Sequence, residues 1–233
     1  MEVTIPGDGG DPDTPAYAAL ADGARRGMVV IHELFGRQPE IDRVVDRFAA
    51  AGYAAVGPDL FAGGLLPLCI ARVVRAAATG EGLPIRQAEA ARRWLVDRAG
   101  IDAGSVGLIG FCLGGGFALA AGRGWGAVSC NYGKVPPAPV MRGIGPVIGC
   151  FGGRDRAFAG EAATLRRRLT DLGVAHEVHS FPTVGHSFLT DGDHPVASRL
   201  SRPLLQISWD PQVAEEGWGH ILRFFDEHLQ PRA

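Results

Sequence analysis

An α/β fold, with a mostly parallel central sheet and helices on both faces, is what this sequence predicts. Short apolar runs rich in β-branched residues alternate with helical periodicities along the chain, the pattern of strand–helix–strand units. The length of 233 residues suits one α/β domain with a sizeable core. Apolar residues make up 46% and charged residues 21%, which is ordinary globular usage. No internal repeat, low-complexity block or linker divides the chain, so residues 1–233 are expected to form a single domain.

The elements follow in order. Gly27 to His32 is a short apolar run with β-branched residues, predicted as a buried strand. After a loop from Glu33 to Pro39, residues Ile41, Val44, Val45, Phe48 and Ala49 recur at helical spacing and Gly52 ends the helix. Tyr53 to Pro58 is the next strand. The stretch 61–82 is not assigned: Val73 and Val74 suit a short helix, but Gly63, Gly64 and Pro67 interrupt it. Pro84 to Ala99 is a clearer helix, with Pro84 in its first turn. Val106 to Gly110 is a strand and Leu113 to Ala121 a helix. Ala127 to Asn131 and Pro146 to Phe151 are further strands. Glu161 to Leu172 is a helix with Arg166, Arg167 and Arg168 on its wet side. A strand from Ala175 to Phe181 and a helix from Val213 to Leu229 complete the pattern.

Composition excludes several function classes. With 23 Lys+Arg against 25 Asp+Glu the net charge is -2, so no basic face for nucleic acid is implied. No apolar run approaches the roughly 20 residues of a membrane helix. Met1 to Asp13 is acidic and rich in Gly and Pro, unlike a secretory signal. The four cysteines, Cys69, Cys112, Cys130 and Cys150, are far apart, with neither a CxxC pair nor zinc-ligand spacing. A cytoplasmic protein with reduced thiols, no metal and no membrane partner fits best.

The chemistry concentrates in Gly110-Phe111-Cys112-Leu113-Gly114, a Gly-x-nucleophile-x-Gly pattern between a strand and a helix. That is the setting of a nucleophile elbow, in which a strained turn lifts the reactive side chain above the sheet. With 34 glycines in the chain the pattern alone is weakly specific, and the strand–helix context makes it useful. Positive partial charge at the helix N-terminus favours thiolate, and the Leu113 backbone N–H can face a developing oxyanion. His186, just past a strand, is positioned to act as base, whereas His32, His176, His179, His194, His220 and His228 suit structural or surface roles. Asp155 follows Gly152-Gly153 at another strand end; Asp59 is a rival acid. The chain order Cys112, Asp155, His186 is the nucleophile–acid–base order of the α/β-hydrolase triad.

At these residues the chain resembles the dienelactone hydrolase family of α/β-hydrolases. The resemblance runs through His32-Glu33-Leu34-Phe35-Gly36, Gly57-Pro58-Asp59-Leu60-Phe61, Gly110 to Gly116, Asn131-Tyr132-Gly133, Gly152-Gly153-Arg154-Asp155 and Gly185-His186-Ser187-Phe188. It implies hydrolysis of a small ester or lactone, a Cys–Asp–His triad and no cofactor. It places a second oxyanion donor at the Leu34 N–H and gives Glu33 a resting contact with the thiol, where a negative charge would keep sulfur protonated. Tyr132, Phe35, Phe188 and Arg72 are the expected pocket residues. One departure stands out: family members that cleave dienelactone carry an arginine a few residues after the histidine, whereas Ser187 to Asp191 contains none and Asp191 would repel an anion. Arg75, Arg199 and Arg202 are weaker substitutes. The partner expected is a small-molecule ester or lactone, met by a monomer or small homo-oligomer. The alternative is a redox-sensing thiol protein with Cys112 as the reactive sulfur and Cys69 as a possible resolving partner. Phosphate binding at Gly110 to Gly116 is disfavoured, since neither G-x-G-x-x-G nor GxxxxGK[ST] is present.

Overall fold

The computed structural model describes residues 1–190, 206 and 209–230. Eight strands form one sheet: β1 (Glu2–Ile5), β2 (Thr14–Leu20), β3 (Gly27–Ile31), β4 (Ala54–Pro58), β5 (Val106–Phe111), β6 (Ala127–Asn131), β7 (Val147–Gly152) and β8 (His176–Phe181). Their order is β1-β2-β4-β3-β5-β6-β7-β8. Strands β3 to β8 pair in parallel, while β1 and β2 add an antiparallel edge beside β4. The described helices are α1 (Pro39–Ala50), α2 (Leu66–Thr79), α3 (Leu83–Ala99), α4 (Leu113–Ala121), α5 (Glu161–Asp171) and α6 (Pro211–His228).

Alternation of side chains along each central strand feeds two cores. Val29, Ile31 and Leu108 belong to the core that Val73 of α2, Leu95 of α3, Phe117 of α4 and Leu165 of α5 complete. Met28, Val30 and Ile109 belong to the other, closed by Phe48 of α1 and by Trp218, Ile221 and Phe225 of α6. With helices on both faces, β3 to β6 are buried along their whole length. Helix α4 is apolar all round because it sits inside the first core, buried from Gly114 to Ala121.

Four elements depart from the sequence expectation. The N-terminal residues contribute β1 and β2, which local sequence does not announce: β1 is the mostly exposed sheet edge, and β2, built largely from small residues, joins it to β4. The unassigned stretch 61–82 contains α2: Pro67 falls in its first turn, where no N–H is needed, and Gly80 at φ 72° caps its end, so the apparent breakers mark its boundaries. The last helix starts at Pro211, two residues before Val213, because Asp210 caps the amides of Gln212 and Val213.

Candidate active site

The site is assembled at the carboxyl ends of β3, β5, β7 and β8, where loops of a parallel sheet gather. Cys112 stands between β5 and α4 with φ 53° and ψ -115°, a left-handed conformation that costs a non-glycine residue about 1–3 kcal/mol. Its neighbours make the turn possible. A methyl group at Gly110 would lie 1.9 Å from the Gly114 carbonyl oxygen, and one at Gly114 would lie 2.5 Å from that of His32. Only glycines let β5, α4 and the end of β3 approach so closely. The Cys112 N–H is anchored on the Asn131 carbonyl at 3.0 Å.

Asp155 and His186 are brought together by two laced loops. Gly153 N–H donates to Phe181 O (2.7 Å) and Arg154 N–H to Val184 O (3.0 Å). His186 Nδ1 donates to Asp155 Oδ2 at 2.5 Å, with both side chains 2% exposed. Asp155 Oδ1 accepts the Phe158 N–H at 3.2 Å, and the Phe158 ring stacks on the imidazole at 4.9 Å. Among the described residues, His186 Nε2 is buried without a partner at hydrogen-bond distance. Burial pulls the imidazole's pKa down, but the hydrogen bond to Asp155, the Cys112 sulfur in its ionised form and the Asp155 charge outweigh it, and the value is pushed up to about 10. The rival acid Asp59 sits instead 3.8 Å from His32 Nε2.

Cys112, His186, Leu34 and Leu113 open onto one cavity of about 600 Å³. Leu113 is the first residue of α4, where an amide has no acceptor within the helix. Leu34 is carried by a loop that His32 braces: Nε2 accepts the Leu60 N–H at 3.2 Å, which leaves the proton on Nδ1 to bond Glu33 O at 2.8 Å. Burial lowers the His32 pKa, which suits this neutral tautomer.

Glu33 is placed differently from the expectation. Its carboxylate accepts from Thr190 Oγ1 (3.1 Å), Tyr132 Oη (3.3 Å) and Ser187 Oγ (3.5 Å), and among the described residues no hydrogen bond joins it to the thiol. Desolvation raises its pKa, while the His186 charge and these hydroxyls pull the other way. The carboxylate therefore ties the β3 loop to the loop that carries His186.

The expected pocket residues are also corrected. Phe188 is fully buried, packed on Tyr132 and Phe181 beneath the histidine loop; Tyr132 is buried with its hydroxyl on Glu33 and Thr190. Phe35 is exposed, and Arg72 and Arg75 lie on the outer side of α2. The cavity wall is built from Val74, Ala77 and Ala78 of α2, from Val135-Pro136-Pro137 and from Phe158. Two cations also reach it. Lys134 is ion-paired with Glu161, and Arg168, expected on the wet side of its helix, donates to the carbonyls of Val135 and Pro136. Phe158 and the Val135 run are within reach of the sequence, since each follows a strand end; the α2 residues are not, because Gly63, Gly64 and Pro67 hide their helix. Arg199, Arg202 and His194 lie outside the described residues.

The remaining thiols are not at this cavity. Cys69 is buried in α2 with its Sγ 3.6 Å from Phe61 O. Burial pushes the Cys130 thiol up to about 12 and raises Cys150 as well. Among the described residues, the one group of three side chains spaced to hold a metal ion lies on β8 and α6, not at Cys112.

The dienelactone hydrolase family model matches residues 14–229. The chain belongs to the dienelactone hydrolase family. Dienelactone hydrolase relatives span nearly all of it. A Yersinia pestis protein assigned as a carboxymethylenebutenolidase is 29% identical, with 97% of this chain and 88% of that one aligned. The carboxymethylenebutenolidase of Rhodococcus opacus is 27% identical over 95% and 88% of the two chains. A crystal structure from Klebsiella pneumoniae, assigned as a dienelactone hydrolase, superposes with a TM-score of 0.77 at 25% identity, covering 97% of this chain and 98% of its own. No helix among the described residues is long and apolar enough to cross a membrane.

Proposed function

We propose that this chain, acting as one α/β-hydrolase domain, hydrolyses small carboxylic esters or lactones through Cys112, His186 and Asp155. The observation that carries the reading is the buried His186–Asp155 bond of 2.5 Å, with the other ring nitrogen left unsatisfied in the cavity that Cys112 shares. Asp155 holds the proton on Nδ1, so Nε2 takes the thiol proton, and the raised pKa of the ring favours the thiolate–imidazolium pair that results. Sulfur then attacks the ester carbonyl, and the amides of Leu34 and Leu113 receive the oxyanion. Collapse of the tetrahedral adduct expels the alcohol, which takes the proton from His186, and leaves a thioester. Water, deprotonated by His186, attacks that thioester; the acid departs and the thiol regains its proton. Glu33 acts here by positioning, since it joins the Leu34 loop to the His186 loop. The family's description and the butenolidase names of its relatives support an ester or lactone as the substrate class.

The test is p-nitrophenyl acetate hydrolysis by wild type beside Cys112→Ala. The variant is expected to lose activity while its circular dichroism stays unchanged, and Cys112→Ser is expected to keep a weak esterase. A Cys112→Ala protein that turns over at the wild-type rate ends the proposal.

A further inference from the structure

Away from the Cys112 cavity, β8 and α6 meet through four side chains that the hydrolytic reading leaves unused. Glu177 and His179 are two residues apart on β8 and share one face. Glu216 and His220 are one turn apart on α6, which packs across that face. Glu177, His179 and His220 each bring a ligand atom within 4.8 Å of the other two. Glu177 Oε2 lies 2.9 Å from His179 Nε2, the two imidazoles stack at 4.0 Å, and Glu216 Oε1 is 4.0 Å from His220 Nε2. The cluster already attracts a cation. The Arg223 guanidinium donates to both Glu177 oxygens at 3.1 and 2.8 Å and stands 3.2 Å from His220 Nδ1.

From this geometry we propose a zinc site in which Zn²⁺ replaces the Arg223 guanidinium and is held by Glu177, His179 and His220. Two imidazoles and one carboxylate suit Zn²⁺ and its late transition-metal neighbours; Mg²⁺ and Ca²⁺ prefer oxygen ligands throughout. The approach needed is small. Ligands about 2.0–2.2 Å from a tetrahedral ion stand roughly 3.4 Å apart, so a pair at the 4.8 Å limit must close by about 1.4 Å and the Glu177–His179 pair, at 2.9 Å, must open by about 0.5 Å, within reach of side-chain rotation. Solvent reaches the group, because the Glu177, His179 and His220 side chains are 26–31% exposed. Arg223, 52% exposed, can swing into water when displaced. Glu216 and water are available for the fourth position. The bound ion would clip α6 to β8 and stabilise the folded chain by mass action.

The experiment uses the full chain with Cys112→Ser, which removes the reactive thiol as a competing zinc ligand. Zn²⁺ is titrated against a chromogenic chelator and thermal unfolding is followed with and without the ion. One Zn²⁺ per chain is expected at micromolar Kd, with Tm raised by about 4 °C or more at saturation. His179→Ala and His220→Ala should each weaken binding at least about tenfold, and Arg223→Met should tighten it by removing the resident cation. Circular dichroism of these surface variants reports folding, and Glu177→Gln, which keeps the side chain's shape, provides a second test. Binding that is absent at 100-fold excess, or that survives both histidine changes undiminished, overturns the proposal. So does an Arg223→Met protein that binds no more tightly.

Discussion

Replacing Asp155 by Asn changes one atom yet cannot satisfy the hydrogen bonds that Asp155 now accepts. One carboxylate oxygen takes the Phe158 N–H at 3.2 Å and the other takes His186 Nδ1–H at 2.5 Å. An amide offers one oxygen and one NH₂. If its oxygen serves Phe158, its NH₂ faces His186, Nδ1 must become an acceptor, and the ring proton moves to Nε2, where it blocks transfer from sulfur. The reverse placement sets NH₂ against the Phe158 N–H inside a buried site, at a cost of about 1–3 kcal/mol. The rise of the imidazole pKa from 6.5 to about 10 corresponds, at about 1.4 kcal/mol per pH unit, to about 5 kcal/mol of preference for the charged ring. Cys112 shares in that rise, so about 5 kcal/mol is a ceiling for Asp155 alone, or a rate loss of up to about 10³–10⁴. The assay is kcat/KM for p-nitrophenyl acetate from pH 5 to 9, with Tm measured over the same range. The folded-state pKa is raised, so this group's stabilisation is complete below pH 6.5 and is lost as pH rises towards 10. Asp155→Asn should therefore flatten the decline of Tm above pH 6.5 while reducing kcat/KM. A folded variant within tenfold of wild type would refute the assignment of Asp155 as the residue that orients the base.

Two further outcomes test the surroundings of the site. Burial raises the Glu33 pKa above its ordinary 4.5, so the protonated carboxyl favours the fold at low pH and that contribution is lost as pH rises through the folded value. Glu33→Gln has no proton to lose, and its urea midpoint should gain on wild type between pH 4 and pH 7; a constant gap would contradict the buried placement. Gly114→Ala puts a methyl group 2.5 Å from His32 O and 2.7 Å from Ile31 O, both backbone atoms that cannot move aside. Overpacking of this kind costs about 3 kcal/mol, read as a fall in Tm; a Tm within a degree of wild type would contradict the close approach of α4 to β3.

Much of the architecture was legible because the central strands are apolar enough to stand out and their helices keep a clear period. The elbow was legible for a related reason: glycines at 110 and 114 flank a single cysteine where a strand turns into a helix, and only a close backbone approach requires that spacing. Chain order singled out Asp155 over Asp59, and position just past a strand end singled out His186 over six other histidines; in the structure this carboxylate and this imidazole bond to each other. The strands, the helices and the elbow are local features, each set by neighbours within a few residues. Tertiary structure alone decided what surrounds them. Strand β2 forms because β4 offers it an edge and β1 then adds to β2, and the cavity wall comes from α2, whose residues are ordinary in sequence and share a cavity with Cys112 through packing against α4. The same holds for Glu33, which the family resemblance places against sulfur. Its partners Tyr132, Ser187 and Thr190 lie 99 to 157 residues away along the chain, and no local pattern encodes which of several distant groups a buried carboxylate will meet.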